Sequence, residues 1–164
     1  MYDVIVVGAG PSGLYSTRLL EKSLKVLVLE EHKEIGKPIQ CSGLISNNLE
    51  NFVKIDRGFV ENEIRGAILH SQKNEIKLEK PGGVARVIDR GKFDAFLAKD
   101  LKSEIMLSSG VRRVDIKKDF VSVETNGKEF RSRILLGCDG PNSFVRNHFG
   151  VKPGEIIRGL IAIT

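Results

Sequence analysis

Glycines near the N-terminus have the spacing of a phosphate-binding loop. Gly8, Gly10 and Gly13 form a G-x-G-x-x-G motif that directly follows the apolar run Tyr2–Val7. In such a motif the first glycine permits a tight turn, the second lets the backbone approach a pyrophosphate, and the third lets helix and strand pack closely. A helix that begins here, with Ser12 in its first turn, offers free N–H groups and its positive dipole end to phosphates. These four residues are therefore predicted to contact a dinucleotide.

An acidic residue follows the glycine motif at the sequence spacing that ribose binding requires. A second apolar run, residues 26–29, ends on Glu30, about 20 residues past the first glycine, where a carboxylate accepts hydrogen bonds from ribose hydroxyls. Strand, glycine loop, helix and second strand make a βαβ unit, and this context makes the motif specific. The alternative is a glycine-rich turn that binds no ligand.

The remaining residues with reactive side chains are scattered. Cys41 and Cys138 are far apart and not in a C-x-x-C motif, and His32, His70 and His148 share no ligand spacing. This spacing argues against a structural metal site and favours a reducing, cytoplasmic compartment. We expect the histidines to be surface or packing residues rather than catalysts.

Hydrophobic periodicity predicts the elements that must position these groups. In the βαβ unit it predicts strands at about residues 2–7 and 24–30, and a helix at 11–22 with Leu14, Leu19 and Leu20 as core contacts. Beyond a long polar connection it predicts a hairpin over residues 64–80 and two short strands at 84–88 and 105–108. It also predicts a second helix at 90–103, a three-stranded meander over 111–134 and a buried strand at 134–136.

Composition places the chain among ordinary globular domains. It has 164 residues, of which 41% are hydrophobic and 29% charged, which is enough for one domain with a real core. The net charge of +5 is mild and spread along the chain, so a solvated surface is favoured over a nucleic-acid partner. No stretch approaches the roughly 20 apolar residues of a membrane span. The predicted class is α/β, with a Rossmann-like parallel sheet, an antiparallel meander and the start of a second sheet.

Three separated motifs together resemble a known group of flavoproteins. They are Gly8–Gly13 with Glu30, then Arg90-x-x-Phe93-Asp94-x-x-Leu97, then Gly137-Cys138-Asp139-Gly140-x-x-Ser143-x-x-Arg146. Their order and spacing are similar to those of the FAD-binding half shared by aromatic hydroxylases and geranylgeranyl reductases. The segment 37–46, Lys-Pro-Ile-Gln-Cys-Ser-Gly-Leu-Ile-Ser, resembles the archaeal geranylgeranyl (prenyl-lipid) reductases in particular.

The resemblance implies roles for residues outside the glycine loop. Arg90 would pair with the pyrophosphate or the flavin side of FAD, and the backbone of Val111, at the end of a parallel strand, would pair with adenine. Asp139 would approach the ribityl or ribose hydroxyls.

The resemblance also places Cys41 beside the isoalloxazine ring, where its thiol would tune the flavin or touch the substrate, so Cys41 is the candidate catalytic residue. Ser42 and Gly43 would let the backbone come near the ring. Alternatives remain open for four of these residues: a plain strand position for Val111, a buried thiol for Cys41, a surface position near a helix start for Arg90 and a turn residue only for Asp139.

The activity that the resemblance implies is reduction of C=C bonds in the prenyl chains of archaeal-type lipids by reduced FAD. The electron donor is left open between NAD(P)H and a ferredoxin, and the lipid substrate implies contact with a membrane surface. Two alternatives remain: an aromatic hydroxylase, and a non-catalytic FAD-binding module that needs a partner chain.

The same resemblance divides the chain by function. Residues 1–58 and 90–150 are assigned to an FAD-binding domain, and residues 59–89 and 151–164 to part of a substrate domain. The family pattern continues with a further Gly-Asp motif, so we expect this chain to be an N-terminal portion of a longer reductase or a truncated relative. The apolar segment 156–163 is expected to be a strand that pairs with another sheet.

Overall fold

The computed structural model describes residues 1–155, so the strand expected over residues 156–163 lies outside the described residues. In chain order the elements are β1 (Tyr2–Val7), α1 (Pro11–Leu20), β2 (Val26–Leu29), β3 (Leu44–Ser46), β4 (Val60–Ile64), β5 (Gly66–His70), β6 (Glu75–Glu79), β7 (Ala85–Ile88), α2 (Arg90–Ala98), β8 (Glu104–Met106), β9 (Val111–Ile116), β10 (Val121–Thr125), β11 (Lys128–Gly137) and α3 (Phe144–His148), with 3-10 turns at Asn47–Asn51 and Arg57–Phe59. Within the described residues, none of the helices is both long and apolar enough to cross a membrane.

The described chain divides into two compact units, residues 1–38 with 94–155, and residues 39–93. The second unit begins at Ile39, whereas the functional boundary expected from the sequence lies after residue 58. Compactness does not reveal which residues contact a substrate, so the functional division stays a prediction.

The first unit is built on a six-stranded sheet in the order β8-β2-β1-β11-β10-β9. The first four strands are parallel to one another, and β10 and β9 continue the sheet antiparallel. The predicted parallel sheet and meander are both confirmed. They share β11, in which Ser132 pairs with Tyr2 of β1 and with Val121 of β10. The third strand of the meander and the strand predicted at 134–136 are therefore one continuous strand, β11.

Burial along β11 differs from the prediction. Unbroken apolar runs are typical of parallel strands covered on both faces, and β1 and β2 follow that rule, since Val4–Val7 and all of β2 are buried. Ile134, however, is 55% exposed, so the prediction of a buried strand there was wrong. Periodicity reports the apolar character of a strand, not whether another element covers it.

One face of this sheet carries a hydrophobic cluster that forms part of the core of the first unit. Its members come from the parallel strands, the meander and α3, and they are Ile5, Val7, Leu27, Leu29, Val114, Val123 and Val145. Full burial of such a side chain stabilises a fold by about 1.5–3 kcal/mol. The core thus fixes β1, β2 and β11 beside one another, which positions the loops at their carboxyl ends.

Helix α1 packs through Gly13, Leu14 and Thr17. Leu19 is 48% exposed, so its predicted core position was wrong. At 3.6 residues per turn, a residue five positions after Leu14 is rotated by about 140° and lies on another face. In the second motif, Phe93 and Leu97 are both buried on α2.

Helix α2 ends at Ala98, five residues before the predicted end at Ser103. The backbone N–H groups of Lys102 and Ser103 donate instead to a side-chain oxygen of Glu21, 2.9 Å away in each case, and Ser103 Oγ donates to the same oxygen. Glu21 follows the last residue of α1, so this carboxylate connects the ends of two elements that are far apart in sequence.

The second unit contains an antiparallel sheet, β3-β7-β4, and the two-stranded hairpin β5-β6. The hairpin and the strand at 84–88 are confirmed, but β3 and β4 lie where the sequence indicated only a polar connection. Phe59 and Phe93 pack edge to face, with ring centroids 5.2 Å apart.

Candidate dinucleotide site

The glycine loop lies at the carboxyl ends of the parallel strands. Gly8 N donates to Leu29 O of β2 over 2.8 Å, and Cys138 N donates to Val7 O of β1 over 2.7 Å. The chain leaves β1 for β2 on one side, and β11 pairs on the other side. In open α/β sheets, ligands bind outside the carboxyl ends of strands at this kind of switch in strand order.

Gly8 and Gly13 are required by the packing of the loop itself. Gly8 has φ +100°, and a Cβ atom there would overlap the carbonyl oxygen of Cys138. A Cβ atom on Gly13 would overlap the carbonyl oxygen of Gly8, well inside the 3.0 Å that real Cβ atoms keep. The start of α1 can approach the end of β1 this closely only because Gly13 has no side chain, and the backbone of Cys138 can approach Gly8 for the same reason.

Gly10 differs from its two neighbours in the motif. A Cβ atom built on it meets no protein atom within 4 Å, and its φ of −76° suits any residue. Protein packing therefore does not explain a glycine here. Open space beside the backbone is what the approach of a pyrophosphate requires.

The first turn of α1 supplies hydrogen-bond donors to that space. Gly10 is the N-cap residue and no side chain caps the helix. The first N–H groups of an α-helix have no acceptor within the helix, and Pro11 has no N–H, so Ser12 and Gly13 are the nearest donors beyond the loop. Phosphate oxygens are natural acceptors for such groups.

The carboxylate of Glu30 lies against the glycine loop and is largely buried, with the residue 7% exposed. Its Oε2 accepts a hydrogen bond of 2.7 Å from Ala9 N. Its Oε1 accepts from His32 N at 2.9 Å and lies 2.7 Å from His32 Nδ1. The structure thus brings Glu30 to the loop, as the sequence predicted, and adds two neighbours, Ala9 and His32, that the sequence analysis did not identify. Because His32 belongs to no metal-ligand spacing, nothing in the sequence indicated its contact with Glu30.

The loop between β8 and β9 borders the same strand end. Ser109 N donates to Glu30 O over 2.6 Å, and a Cβ atom on Gly110 would lie 3.3 Å from Glu31 Cβ. Val111 follows as the first residue of β9, an antiparallel strand at the edge of the sheet. The expectation that Val111 ends a parallel strand was wrong, because the parallel strand β8 ends at Met106. Its contact with adenine stays a prediction.

Asp139 lies beside Gly8, and its carboxylate also accepts hydrogen bonds from residues at the start of α3. A Cβ atom on Gly8 would lie 3.1 Å from Asp139 Cα. The carboxylate of Asp139 accepts hydrogen bonds from Ser143 Oγ at 2.5 Å and Val145 N at 3.0 Å. Both oxygens thus hold the start of α3, and each keeps further acceptor capacity. Contact of Asp139 with a cofactor stays a prediction.

Cys138 is partly buried. Burial raises the pKa of its thiol, and the negative charge of Asp139 raises this pKa further. The thiol is therefore held protonated, which disfavours it as a nucleophile.

The remaining candidate residues belong to the second unit. Cys41 is partly buried with a free thiol, Ser42 is exposed, and Gly43 is buried. Gly43 has φ +76°, and a Cβ atom there would overlap the carbonyl oxygen of Ile88. Packing against β7 is therefore enough to explain this glycine, and the approach of Cys41, Ser42 and Gly43 to a flavin ring stays a prediction.

Arg90, partly buried, begins α2. The residue before it, Asp89, accepts a hydrogen bond from Lys92 N at 3.0 Å. This hydrogen bond is the main cause that lowers the pKa of Asp89, against the opposing effect of its burial. Arg90 is thus at a well-defined helix start, while its contact with a cofactor stays a prediction. In the described part of the chain, no three His, Cys, Asp or Glu residues are grouped to hold a metal ion.

A parallel sheet, a glycine loop leading into a helix, and an acidic residue at the end of the second strand define a Rossmann-like dinucleotide-binding domain. The family model described as an NAD(P)-binding Rossmann-like domain matches residues 6–59. A digeranylgeranylglycerophospholipid reductase of Methanosarcina acetivorans is 33% identical over 95% of this chain and 43% of its own length. The chain is similar to these reductases over most of its own length, and it spans less than half the length of the curated relatives it matches.

Two solved structures share the fold of this chain. A geranylgeranyl bacteriochlorophyll reductase-like protein of Thermoplasma acidophilum superposes with a TM-score of 0.72 at 29% identity, over 83% of this chain and 38% of that protein. The halogenase PltM, in complex with phloroglucinol and FAD, superposes with a TM-score of 0.69 at 14% identity, over 91% of this chain and 36% of PltM. At that identity, the second likeness shows the fold alone.

Proposed function

We propose that this chain binds FAD and supplies the cofactor-binding part of a reductase that saturates C=C bonds in the prenyl chains of archaeal-type lipids. The observation that carries the proposal is the position of the Glu30 carboxylate, 2.7 Å from Ala9 N inside the glycine loop. A ribose acceptor and a phosphate loop are thereby adjacent, as an adenine dinucleotide requires. The relatives named as digeranylgeranylglycerophospholipid reductases support the substrate class.

Each group of the first unit has a distinct task in this proposal. The N–H groups of Ser12 and Gly13 bind the pyrophosphate, and the open space beside Gly10 admits it. Glu30 accepts hydrogen bonds from the adenosine ribose. Val111 is the first residue after the loop that borders Glu30, and this position is consistent with backbone contact to adenine. Asp139, beside Gly8, is assigned to the ribityl or ribose hydroxyls.

Four further residues, Arg90, Cys41, Ser42 and Gly43, are assigned to the flavin end of the cofactor from the family resemblance. Arg90 is assigned to the pyrophosphate or the flavin, because a guanidinium presents a fixed fork of donors. When bound, FAD supplies hydride transfer, and the protein supplies orientation and electrostatics. Cys41, with Ser42 and Gly43, is assigned to the region of the ring, where the thiol would contact the flavin or the prenyl chain.

The main alternative is an aromatic hydroxylase, since the fold is shared with that group. The segment around Cys41 and the identity of the relatives both favour the reductase. A non-catalytic FAD-binding module is the second alternative. NAD(P)H and a ferredoxin remain the candidate electron donors, and contact with a membrane surface follows only from the lipid substrate.

The proposal is tested first by flavin binding. The purified chain is titrated with FAD while flavin absorbance and fluorescence are followed, with Gly10→Val as the matched control. We expect saturable binding to the wild type and none to the variant. Absence of binding to the folded wild type would contradict the proposal.

The reaction is tested separately. The FAD-loaded protein is reduced chemically with dithionite and mixed with a geranylgeranyl lipid, and saturation is followed by mass spectrometry. Mass gains of two hydrogens per double bond are expected for a reductase. Oxygen incorporation into a phenol, with NADPH and air, would instead favour the hydroxylase. FAD binding without either product is the result expected both for the cofactor-binding part alone and for a non-catalytic module.

A further inference from the structure

We propose that His32 controls how many ribose hydroxyls Glu30 can accept, and that it is a specificity-determining, positioning residue of the dinucleotide site. The inference rests on the proposed function, in which the adenosine ribose lies against Glu30. It concerns a residue that the glycine motif does not include and that the sequence indicated only as a surface or packing histidine.

The geometry around Glu30 shows which nitrogen of His32 carries a proton. Nδ1 lies 2.7 Å from Glu30 Oε1, while Nε2 is 3.8 Å from Glu31 Oε1. A carboxylate only accepts hydrogen bonds. Nδ1 must therefore be the donor, and the ring is oriented with its N–H toward Glu30.

The number of ribose hydroxyls that Glu30 can accept follows from the acceptor sites that its carboxylate has left. A carboxylate offers about four lone-pair sites, two on each oxygen. On Glu30, Oε1 receives both His32 N and His32 Nδ1, and Oε2 receives Ala9 N. Oε1 is thus filled and a single site remains, on Oε2. With the His32 ring in place, Glu30 can accept one ribose hydroxyl, and without the ring it can accept two.

The backbone around Glu30 is held independently of the ring. Ser108 N donates to His32 O over 2.8 Å, Ser109 N donates to Glu30 O over 2.6 Å, and Glu30 N donates to Met106 O over 2.9 Å. The imidazole itself is partly exposed, with 36% of its side chain accessible. Replacing the ring should therefore leave Glu30 in its position and change only the occupation of Oε1.

The test compares adenine nucleotides that lack one hydroxyl. ADP, 2′-deoxy-ADP and 3′-deoxy-ADP are titrated calorimetrically into the wild type, His32→Ala and His32→Asn. For the wild type we expect one deoxy probe to bind like ADP and the other about tenfold or more weaker, as for loss of one hydrogen bond to a charged acceptor. For His32→Ala we expect both deoxy probes to bind about tenfold or more weaker than ADP does.

The asparagine variant separates positioning from mere packing. Its side-chain amide N–H can donate where Nδ1 donates, so His32→Asn should restore the wild-type dependence on a single hydroxyl. Two results would overturn the role of His32 while leaving the dinucleotide site intact. One is an equal loss of affinity for both deoxy probes in the wild type. The other is a His32→Ala variant that, like the wild type, loses affinity for only one of them. Failure of the folded wild type to bind ADP and FAD at all would overturn the proposed function and this inference with it.

Discussion

The backbone N–H of Ala9 donates a 2.7 Å hydrogen bond to Oε2 of Glu30, across 21 residues of sequence. This contact joins the glycine loop to the end of β2 at a position where the carboxylate is largely buried. The residue expected to bind ribose therefore also holds the loop expected to bind phosphate. A change at Glu30 should act on both parts of the site.

Replacing Glu30 by alanine should weaken FAD binding by about 1.5–3 kcal/mol, the usual contribution of a hydrogen bond to a charged group. The physical reason is the loss of the ribose acceptor together with the partner of Ala9. Fluorescence titration with FAD measures the effect. The matched control is Glu31→Ala, because the side chain of Glu31 is 72% exposed, and its affinity should equal that of the wild type. Equal affinities for Glu30→Ala and the wild type would remove Glu30 from the site.

Gly10→Val should abolish FAD binding while the protein stays folded. A Cβ atom at Gly10 meets no protein atom within 4 Å, so we expect the branched valine to extend into the space assigned to the pyrophosphate. Circular dichroism establishes folding, and flavin titration measures binding. Gly154→Val is the control, since a Cβ atom there also meets nothing within 4 Å and Gly154 lies outside the motif. Normal FAD binding by folded Gly10→Val would make the assignment of the phosphate loop wrong.

Gly13→Ala should reduce the stability of the fold itself, in contrast to Gly10→Val, which should remove FAD binding and leave the protein folded. Its Cβ atom would overlap the carbonyl oxygen of Gly8, and overpacking of this kind costs about 1–3 kcal/mol. Urea unfolding of Gly13→Ala and Gly10→Ala gives the comparison, because both place the same methyl group in one loop. We expect a lower unfolding midpoint for Gly13→Ala alone. Equal midpoints for the two variants would contradict the close packing at Gly13.

How much the sequence predicted depends on whether a feature is local. The βαβ unit, the glycine loop and the carboxylate at Glu30 follow from spacing, and the structure places them as expected. Burial of Leu19 and Ile134 was wrongly predicted because apolar character does not reveal which face another element covers.

The contacts that the sequence could not predict involve residues far apart along the chain, or a residue outside any motif. Lys102 and Ser103, predicted to lie in α2, instead donate their backbone N–H groups to Glu21, about 80 residues earlier in the chain. Likewise, the contact of His32 with Glu30 depends on side-chain orientation, for which no spacing rule exists.

The contact of Glu21 with Lys102 and Ser103 should make stability depend on pH. Burial alone would raise the pKa of Glu21, but hydrogen bonds from Ser103 and Lys102 outweigh it, so the folded-state pKa lies below the usual value. A carboxyl group with a lowered folded-state pKa stabilises the fold at pH values above its unfolded-state pKa, about 4.3. That stability is lost as the pH falls through the folded-state pKa.

Glu21→Gln should therefore be less stable than the wild type at pH 7, by about 1 kcal/mol after allowance for solvent screening of a partly exposed group. The difference should shrink as the pH falls below about 4, because the wild-type carboxyl group then becomes protonated. Urea unfolding at a series of pH values from 7 to 3 measures it. Glu124→Gln, at an exposed position of β10, is the control and should show no such trend. A gap between the wild type and Glu21→Gln that stayed constant down to pH 3 would show that the charge of Glu21 is not what stabilises the contact.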